Sequence, residues 1–288
     1  MQINSGTTYR VFRPDPDLRD YIRFYWALEG KASPESPYIH RTLANAFPEL
    51  IFHYKGPFEE RISTHHIEKT FTTGIHGHTD RLRLFQATSD YGIFGIFLQP
   101  YSVPAIFGIP SVDLINELPD LASVLGQEGS DLSDRIMEAE SNVHRIQIMN
   151  QFFRRRITDL DYPDISRITN YLTEQNGNIT IPDLAAKAFR SQRQLERVFH
   201  TYIGFSPKTY ARIIRFNSIL WNYDFKNKSM TQIAHDFGYF DQAHFSHDFK
   251  NFSGYSPGEY FSGKATDVFY APGHDDVENL QYRRIWTT

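Results

Sequence analysis

Arg193, Arg197 and His200 recur at intervals of four and three, with Gln192 and Glu196 beside them. On a helix that spacing gathers them on one face. Fifty residues further on, Ala243, His247 and Lys250 repeat the interval, flanked by Gln242 and Ser246. A guanidinium can give two parallel hydrogen bonds to guanine, and a carboxamide can pair in the same way with adenine. Each set follows a capping residue, Ser191 or Asp241, so a helix N-terminus with its N–H groups and positive dipole end stands beside the polar face and suits a phosphate. The chemistry on offer is recognition of a nucleic-acid duplex, without making or breaking bonds. A merely solvated helix face would carry the same residue types, and what sets this one apart is that it is written twice.

A second set invites a metal reading. His76-Gly77-His78 and His65-His66 resemble the paired histidines with which a small β-barrel holds a divalent cation. A cupin-like metal-dependent enzyme with an attached DNA-binding module is therefore the alternative. The ligand set is incomplete, since no Glu follows closely and 79–83 supply only Asp80. Cysteine is absent, which excludes disulfides, thiolate metal sites and thiol nucleophiles. No Ser/His/Asp arrangement, phosphate-binding loop or dinucleotide fingerprint is present. No catalytic residue, metal or other cofactor is expected.

The chain of 288 residues, 40% apolar and 15% aromatic, has room for two packed domains. No apolar run approaches the roughly 20 residues that span a bilayer, and MQINSGTTYR lacks the apolar stretch of a signal peptide. The expectation is a cytoplasmic protein with no membrane partner. The overall charge of −4 hides a local contrast: residues 187–215 hold seven Lys/Arg against Glu196 alone, net +6, whereas 229–262 are net −3.

The elements that must position these residues divide the chain. Up to about residue 100 it reads as strands: 22–28, 49–54, the alternating 81–88 and 91–100 are bounded by turn residues and predict a barrel or sandwich. Tyr25, Trp26, Phe52, Tyr54, Phe94 and Phe97 are core residues or the lining of an effector pocket. After Gly108, Pro110 and Pro119 the period becomes helical. Leu132, Ile136, Ala139, Val143, Ile146, Phe153 and Ile157 form a 4–3 stripe with Asn150 on the same seam. It fits a coiled-coil seam or a helix pair broken near Ser141–Asn142 that packs on its own domain; either is the candidate dimer surface. The expected organisation is α+β: a β-rich, cupin-like effector-sensing or dimerisation domain at 1–157 ending in helices, a linker at 158–162, an all-α domain at 163–262 and an extension at 263–288.

Within the all-α domain Leu184–Ala185 matches Ile233–Ala234 at an offset of 49, and Ser191/Asp241, Leu195/Phe245, Phe199/Phe249 and Gly204/Gly254 match at 50. Thr180 with Asp183, Ser191 with Gln194 and Ser229 with Gln232 are capping pairs. Each copy is a short helix, a tight turn and a longer helix, the helix-turn-helix unit. A helix over 209–225 joins the copies. GFSPKTY (204–210) and GYSPGEY (254–260) read as punctuation, in which Gly ends one helix and Ser-Pro starts the next.

These paired motifs resemble the DNA-binding domain of the AraC/XylS family of bacterial transcription regulators. The resemblance covers 163–262 and runs through Leu184, Ala185, Ala188, Ser191, Leu195, Arg197, Phe199 and 204–210, then Ile233, Ala234, Phe237, Gly238, Phe245, Phe249, Lys250 and 254–260. The first 157 residues resemble, more weakly, the sensor domains of one branch of the family. The family implies a sequence-specific regulator on operator or promoter double-stranded DNA, a small-molecule effector, a homodimer, and RNA polymerase as a further partner where it acts as an activator. It also implies that Arg193, Glu196 and Arg197, and Gln242, Ala243, Ser246 and His247, read bases; with Ser191, Gln192 and Lys250 of the same capped faces they make up the expected DNA interface. The chain departs from the family pattern at His247 and Phe261, where Arg is common, and in the extension.

Overall fold

Among the described residues nine strands precede residue 100: β1 (Thr8–Phe12), β2 (Ile22–Gly30), β3 (Tyr38–Thr42), β4 (Glu49–Lys55), β5 (Glu59–Ser63), β6 (His66–Lys69), β7 (Thr73–His76), β8 (Arg83–Ala87) and β9 (Tyr91–Leu98). The computed structural model describes residues 7–63, 65–158, 164–222 and 228–262. The extension at 263–288, the linker beyond Thr158 and the last residues expected of the 209–225 helix lie outside these. All strand pairs are antiparallel, in two sheets ordered β1–β2–β9–β4–β7 and β3–β8–β5–β6. Of the two architectures the strand pattern allows, the sandwich forms, and the sheets do not close into a barrel.

The larger sheet is buried on both faces. Phe24, Trp26, Leu28, Ile51 and Ile93 meet Tyr38 and Phe85 of the smaller sheet, while Tyr25, Leu50, Phe52, Phe94 and Ile96 pack under helices. Burial on both faces is why 49–54 and 91–98 are apolar at successive positions instead of alternating. The helical cover comprises α1 (Val103–Phe107), α2 (Leu121–Leu125), α3 (Gln127–Glu138) and α4 (Asn142–Arg156).

The 4–3 stripe resolves into a helix pair. Between α3 and α4 the chain leaves the helical path, and Ser141 starts α4 by accepting a hydrogen bond from His144 N. Leu132, Ile136, Ala139 and Phe153 are buried against the sheet, and Val143 alone points outward, 61% exposed. Asn150, the residue that would set register in a coiled coil, accepts from Tyr25 Oη at 2.5 Å and donates to Asp15 at 2.9 Å. The coiled-coil reading is corrected: a strand tyrosine and the sheet surface take up the seam.

Among the described residues seven further helices follow: α5 (Asp164–Glu174), α6 (Ile181–Lys187), α7 (Gln192–Tyr202), α8 (Pro207–Asn222), α9 (Met230–Asp236), α10 (Gln242–Ser253) and α11 (Pro257–Phe261). They share a core of Ile168, Leu184, Leu195, Phe199, Ile213, Phe216, Ile233, Phe245 and Phe249. Leu43, Ala44, Ala46 and Phe47, from the loop between β3 and β4, enter the same core. Among the described residues no helix is long and apolar enough to cross a membrane.

Candidate nucleic-acid interface

Ser191 and Gln194 form a capping box that starts α7, with Gln194 N donating to Ser191 Oγ at 3.3 Å and Ser191 N to Gln194 Oε1 at 2.9 Å. Leu195, Val198 and Phe199 turn inward, which leaves Gln192, Arg193, Glu196, Arg197 and His200 exposed as one face. Asp241 caps α10 through His244 N at 2.7 Å. There Phe245, Phe249 and Phe252 are buried, Gln242, Ala243, His247 and Lys250 are exposed, and Ser246 is half-buried. The structure therefore brings the expected residues together on two faces, each beginning at a capped N-terminus. Three of them have local partners. Ser191 spends its hydroxyl on the cap, Gln242 Oε1 accepts from Thr231 Oγ1 at 2.8 Å, and His247 Nδ1 lies 3.2 Å from Asn251 Nδ2.

The contrast of charge between the units is smaller than the sequence count. Arg212 on α8 makes a bidentate pair with Asp248 on α10, and Asp236 pairs with Lys228 at 2.5 Å. Arg215 donates to Gly177 O and Gly238 O at 3.0 and 3.3 Å, and burial holds its pKa below the ordinary arginine value. Two of the seven basic residues in 187–215 are thus structural, and two of the acidic residues in the second unit are neutralised. Arg193, Arg197 and Lys208 remain exposed.

The repeated phrase ends both α7 and α10 as expected. Gly204 and Gly254 adopt φ of +85° and +78°, a left-handed turn that glycine takes without strain. Ser206 accepts from Thr209 N, and Ser256 forms a capping box with Glu259. It has a second task invisible in the motif, because both copies dock on the N-terminal domain. Ser111 Oγ donates to Tyr202 O at the end of α7, Gly204 lies against Ile115, and Phe205 meets the ring of His78. At the other copy Gly254 lies against Leu82, and the Arg41 guanidinium sits 4.5 Å over the Tyr255 ring. Ala44 completes the dock: its N–H donates to Phe252 O of α10 at 3.0 Å, and its carbonyl accepts from Asn217 Nδ2 of α8 at 2.9 Å. The β3–β4 loop thereby touches α10 and α8 at once.

The histidine pair does not converge on a cation. His76 ends β7 between Phe71 and Phe85, with ring centroids at 5.7 and 5.3 Å. His78, beyond the strand, sits 2.9 Å from Pro100 O through Nε2. Burial pushes His78 down to about 4 and holds His76 well below its ordinary value, with Arg83 adding to the effect at His76. His65 and His66 are exposed, and His66 lies 3.1 Å from Glu68. Among the described residues no group of three or more His, Cys, Asp or Glu is placed to hold a metal ion.

A narrow cleft runs beside the docking loop, lined by Thr42, Asn45, Phe47, Glu49, His76 and Arg83, among others. Burial pushes Glu49 up to about 8, so its carboxyl keeps its proton at neutral pH. Arg83 is held by Glu60 at 2.6 and 2.8 Å and by Asn116 O at 2.7 Å. The aromatic residues read as an effector lining are elsewhere: Tyr25, Trp26, Phe52 and Phe94 are buried core, Phe97 stacks on Phe24, and Tyr54 lies under Arg145.

The sequence pattern described as a helix-turn-helix domain matches residues 184–263, and one described as a domain of unknown function (DUF6597) matches 10–120. The HTH-type transcriptional regulator ArgR of Pseudomonas aeruginosa is 28% identical over 156 residues, 53% of this chain, which spans only 46% of that protein. The probable transcriptional regulator LumQ of Photobacterium leiognathi is 23% identical over 223 residues, 74% of this chain and 89% of that one. A solved transcriptional regulator with an AraC-type DNA-binding domain, from Chromobacterium violaceum, shares 27% identity over 36% of this chain and 93% of its own, with a TM-score of 0.31.

Proposed function

We propose that this chain is a sequence-specific transcription regulator of the AraC/XylS type that binds double-stranded DNA, a reading supported by the match of residues 184–263 to a helix-turn-helix domain. The observation that carries the reading is the duplicated exposed face of α7 and α10, each begun by a capped N-terminus and joined through α8. With 16 residues, α8 is about 24 Å long at 1.5 Å per residue. The offsets of the two reading helices would extend that to the ~34 Å between successive major grooves on one side of a duplex. No bond chemistry is needed. Gln192, Arg193, Glu196 and Arg197 in the first unit, and Gln242, Ala243, Ser246 and His247 in the second, meet base edges, while Lys250 and the capped N-termini meet phosphates. Ser191 serves by setting where the first reading helix starts.

Control resides in the N-terminal domain. Thr42, Asn45 and Phe47 flank or belong to the loop that docks on α8 and α10, so an effector that shifts this loop would act on the placement of both reading helices. The working assembly is a cytoplasmic homodimer that contacts RNA polymerase where it activates. Selection of bound sites from random duplex DNA, with and without candidate metabolites, tests the function. Enrichment of a site with two motifs about 10 base pairs apart is expected, and a pool with no enriched duplex under any condition would overturn the reading.

A further inference from the structure

Phe189 and Phe240 are 91% and 93% exposed, and their neighbours do not share the feature: Ala188 and Tyr239 beside them are 8% and 5% exposed. Phe189 also holds φ at +53°, a left-handed conformation that the second unit assigns to Gly238 at +69°. Keeping a bulky residue there strains the backbone, and exposing its ring forgoes burial. Folding gains nothing from either, so the ring calls for a partner outside the chain.

Placement identifies the partner. Phe189 stands two residues before the α7 cap Ser191, and Phe240 one residue before the α10 cap Asp241. Each ring therefore sits in the turn of its unit at the N-terminal end of a reading helix, the end that approaches base edges. Around Phe189 the exposed charges of 187–197 are Lys187, Arg193 and Arg197 against Glu196, a setting that suits a polyanion. Each unit carries one exposed ring in this turn, at neighbouring and not equivalent positions of the repeat, which fits a partner that itself repeats along one side, as duplex DNA does at each helical turn.

Resting on the DNA-binding reading, we propose that Phe189 and Phe240 are DNA-contact residues that press on a thymine C5-methyl group and the adjoining deoxyribose at the major-groove edge, one ring in each half of the site. Phenylalanine is an apolar partner for the thymine methyl. Such a contact releases no counterions, so it adds affinity without adding to the salt dependence. In the second unit, with fewer exposed cations, Phe240 supplies grip that phosphate contacts do not.

Anisotropy titrations of the full chain on a selected duplex, at several salt concentrations and with each thymine replaced in turn by deoxyuridine, test this. Phe189→Ala and Phe240→Ala are each expected to weaken binding about fourfold to tenfold with the slope of log K against log salt unchanged. Each should erase sensitivity to uridine at one position, in different halves of the site. Phe189→Gly, which relieves the left-handed strain, should raise Tm while lowering affinity, a split that a structural role would not produce. Wild-type affinity and uridine sensitivity in the Phe→Ala variants would overturn the proposal and leave DNA binding intact, and a loss of transcription alone in them would assign the rings to a protein partner. Failure of the wild-type chain to bind any duplex would instead remove the underlying reading, and this inference with it.

Discussion

Arg212 of α8 grips Asp248 of α10 through two hydrogen bonds, Nη2 to Oδ1 at 2.6 Å and Nε to Oδ2 at 3.1 Å. The carboxylate is 2% exposed, and the guanidinium also packs 5.3 Å over the Phe252 ring. The hydrogen bonds and charge of Asp248 raise the Arg212 pKa, so the guanidinium stays charged throughout the ordinary pH range. A pair of charges that sequence counting assigns to opposing patches is thus the joint between the connecting helix and the second reading helix.

Arg212→Ala would leave Asp248 buried without its counter-charge. The expected loss of stability is about 3 kcal/mol, at the low end of the range for breaking a buried pair because Arg212 is partly exposed. Chemical denaturation read by circular dichroism checks it, and an unchanged midpoint would show that water can replace the guanidinium.

Stability should peak near pH 6.5. Burial pushes His40 and His78 down to about 4 and His53 to about 3, and holds His76 well below its ordinary value of 6.5. The stability these histidines contribute is present above pH 6.5 and is lost as pH falls through that value toward 4, on the order of 3 kcal/mol for each fully buried ring. Glu49 acts with the opposite sign. Its carboxyl is raised from 4.5 to about 8, so its contribution is complete below pH 4.5 and is lost as pH rises through 8. Melting temperature against pH should therefore fall on both sides and more steeply on the acid side, and Glu49→Gln should flatten the alkaline limb and steepen the acid limb above pH 4.5.

Gly204 and Gly108 are both left-handed, at φ of +85° and +71°. A Cβ at Gly108 would meet nothing within 4 Å, but one at Gly204 would lie 2.7 Å from Ile115 Cδ1 and 2.9 Å from Ser111 O of the N-terminal domain. Gly108→Ala should cost about 1 kcal/mol from backbone strain alone. Gly204→Ala should cost more, by an amount that measures how firmly the first reading helix is docked. Equal costs in thermal melts would mean that the dock yields freely.

Arg197→Ala should weaken duplex binding more than His247→Ala, because the first unit keeps Arg193, Arg197 and Lys208 exposed and the second carries His247 where its counterpart has a guanidinium. Gel shifts at fixed salt decide the order, and the reverse ranking would assign the main grip to the second unit.

What the sequence made legible was mostly local. The caps at Ser191, Ser229, Asp241 and Ser256, the glycine turns at 204 and 254 and the inward stripes of α7 and α10 all follow from residues within a turn or two of one another. The positions of β2, β4, β8 and β9 were legible from composition; those of β1, β3, β5, β6 and β7 were not, nor was burial of the larger sheet on both faces, since it depends on which helices return to cover it. The pairing of Arg212 with Asp248, the Asn150–Tyr25 hydrogen bond and the entry of Leu43–Phe47 into the helical core join residues 36 to more than 120 positions apart, and no local period marks them. His78 shows the same limit from the other side: its spacing from His76 suggests a ligand pair, yet its surroundings at Pro100 and Phe205 make it a core residue.

The central claim is that α7 and α10 each read one half of a single duplex site. Site selection repeated with wild type, Arg197→Ala and His247→Ala measures this directly. The account predicts that each variant relaxes base preference in one half only, with the two affected positions about 10 base pairs apart. Relaxation of the same bases by both variants, or no enriched duplex for the wild-type chain, would contradict it.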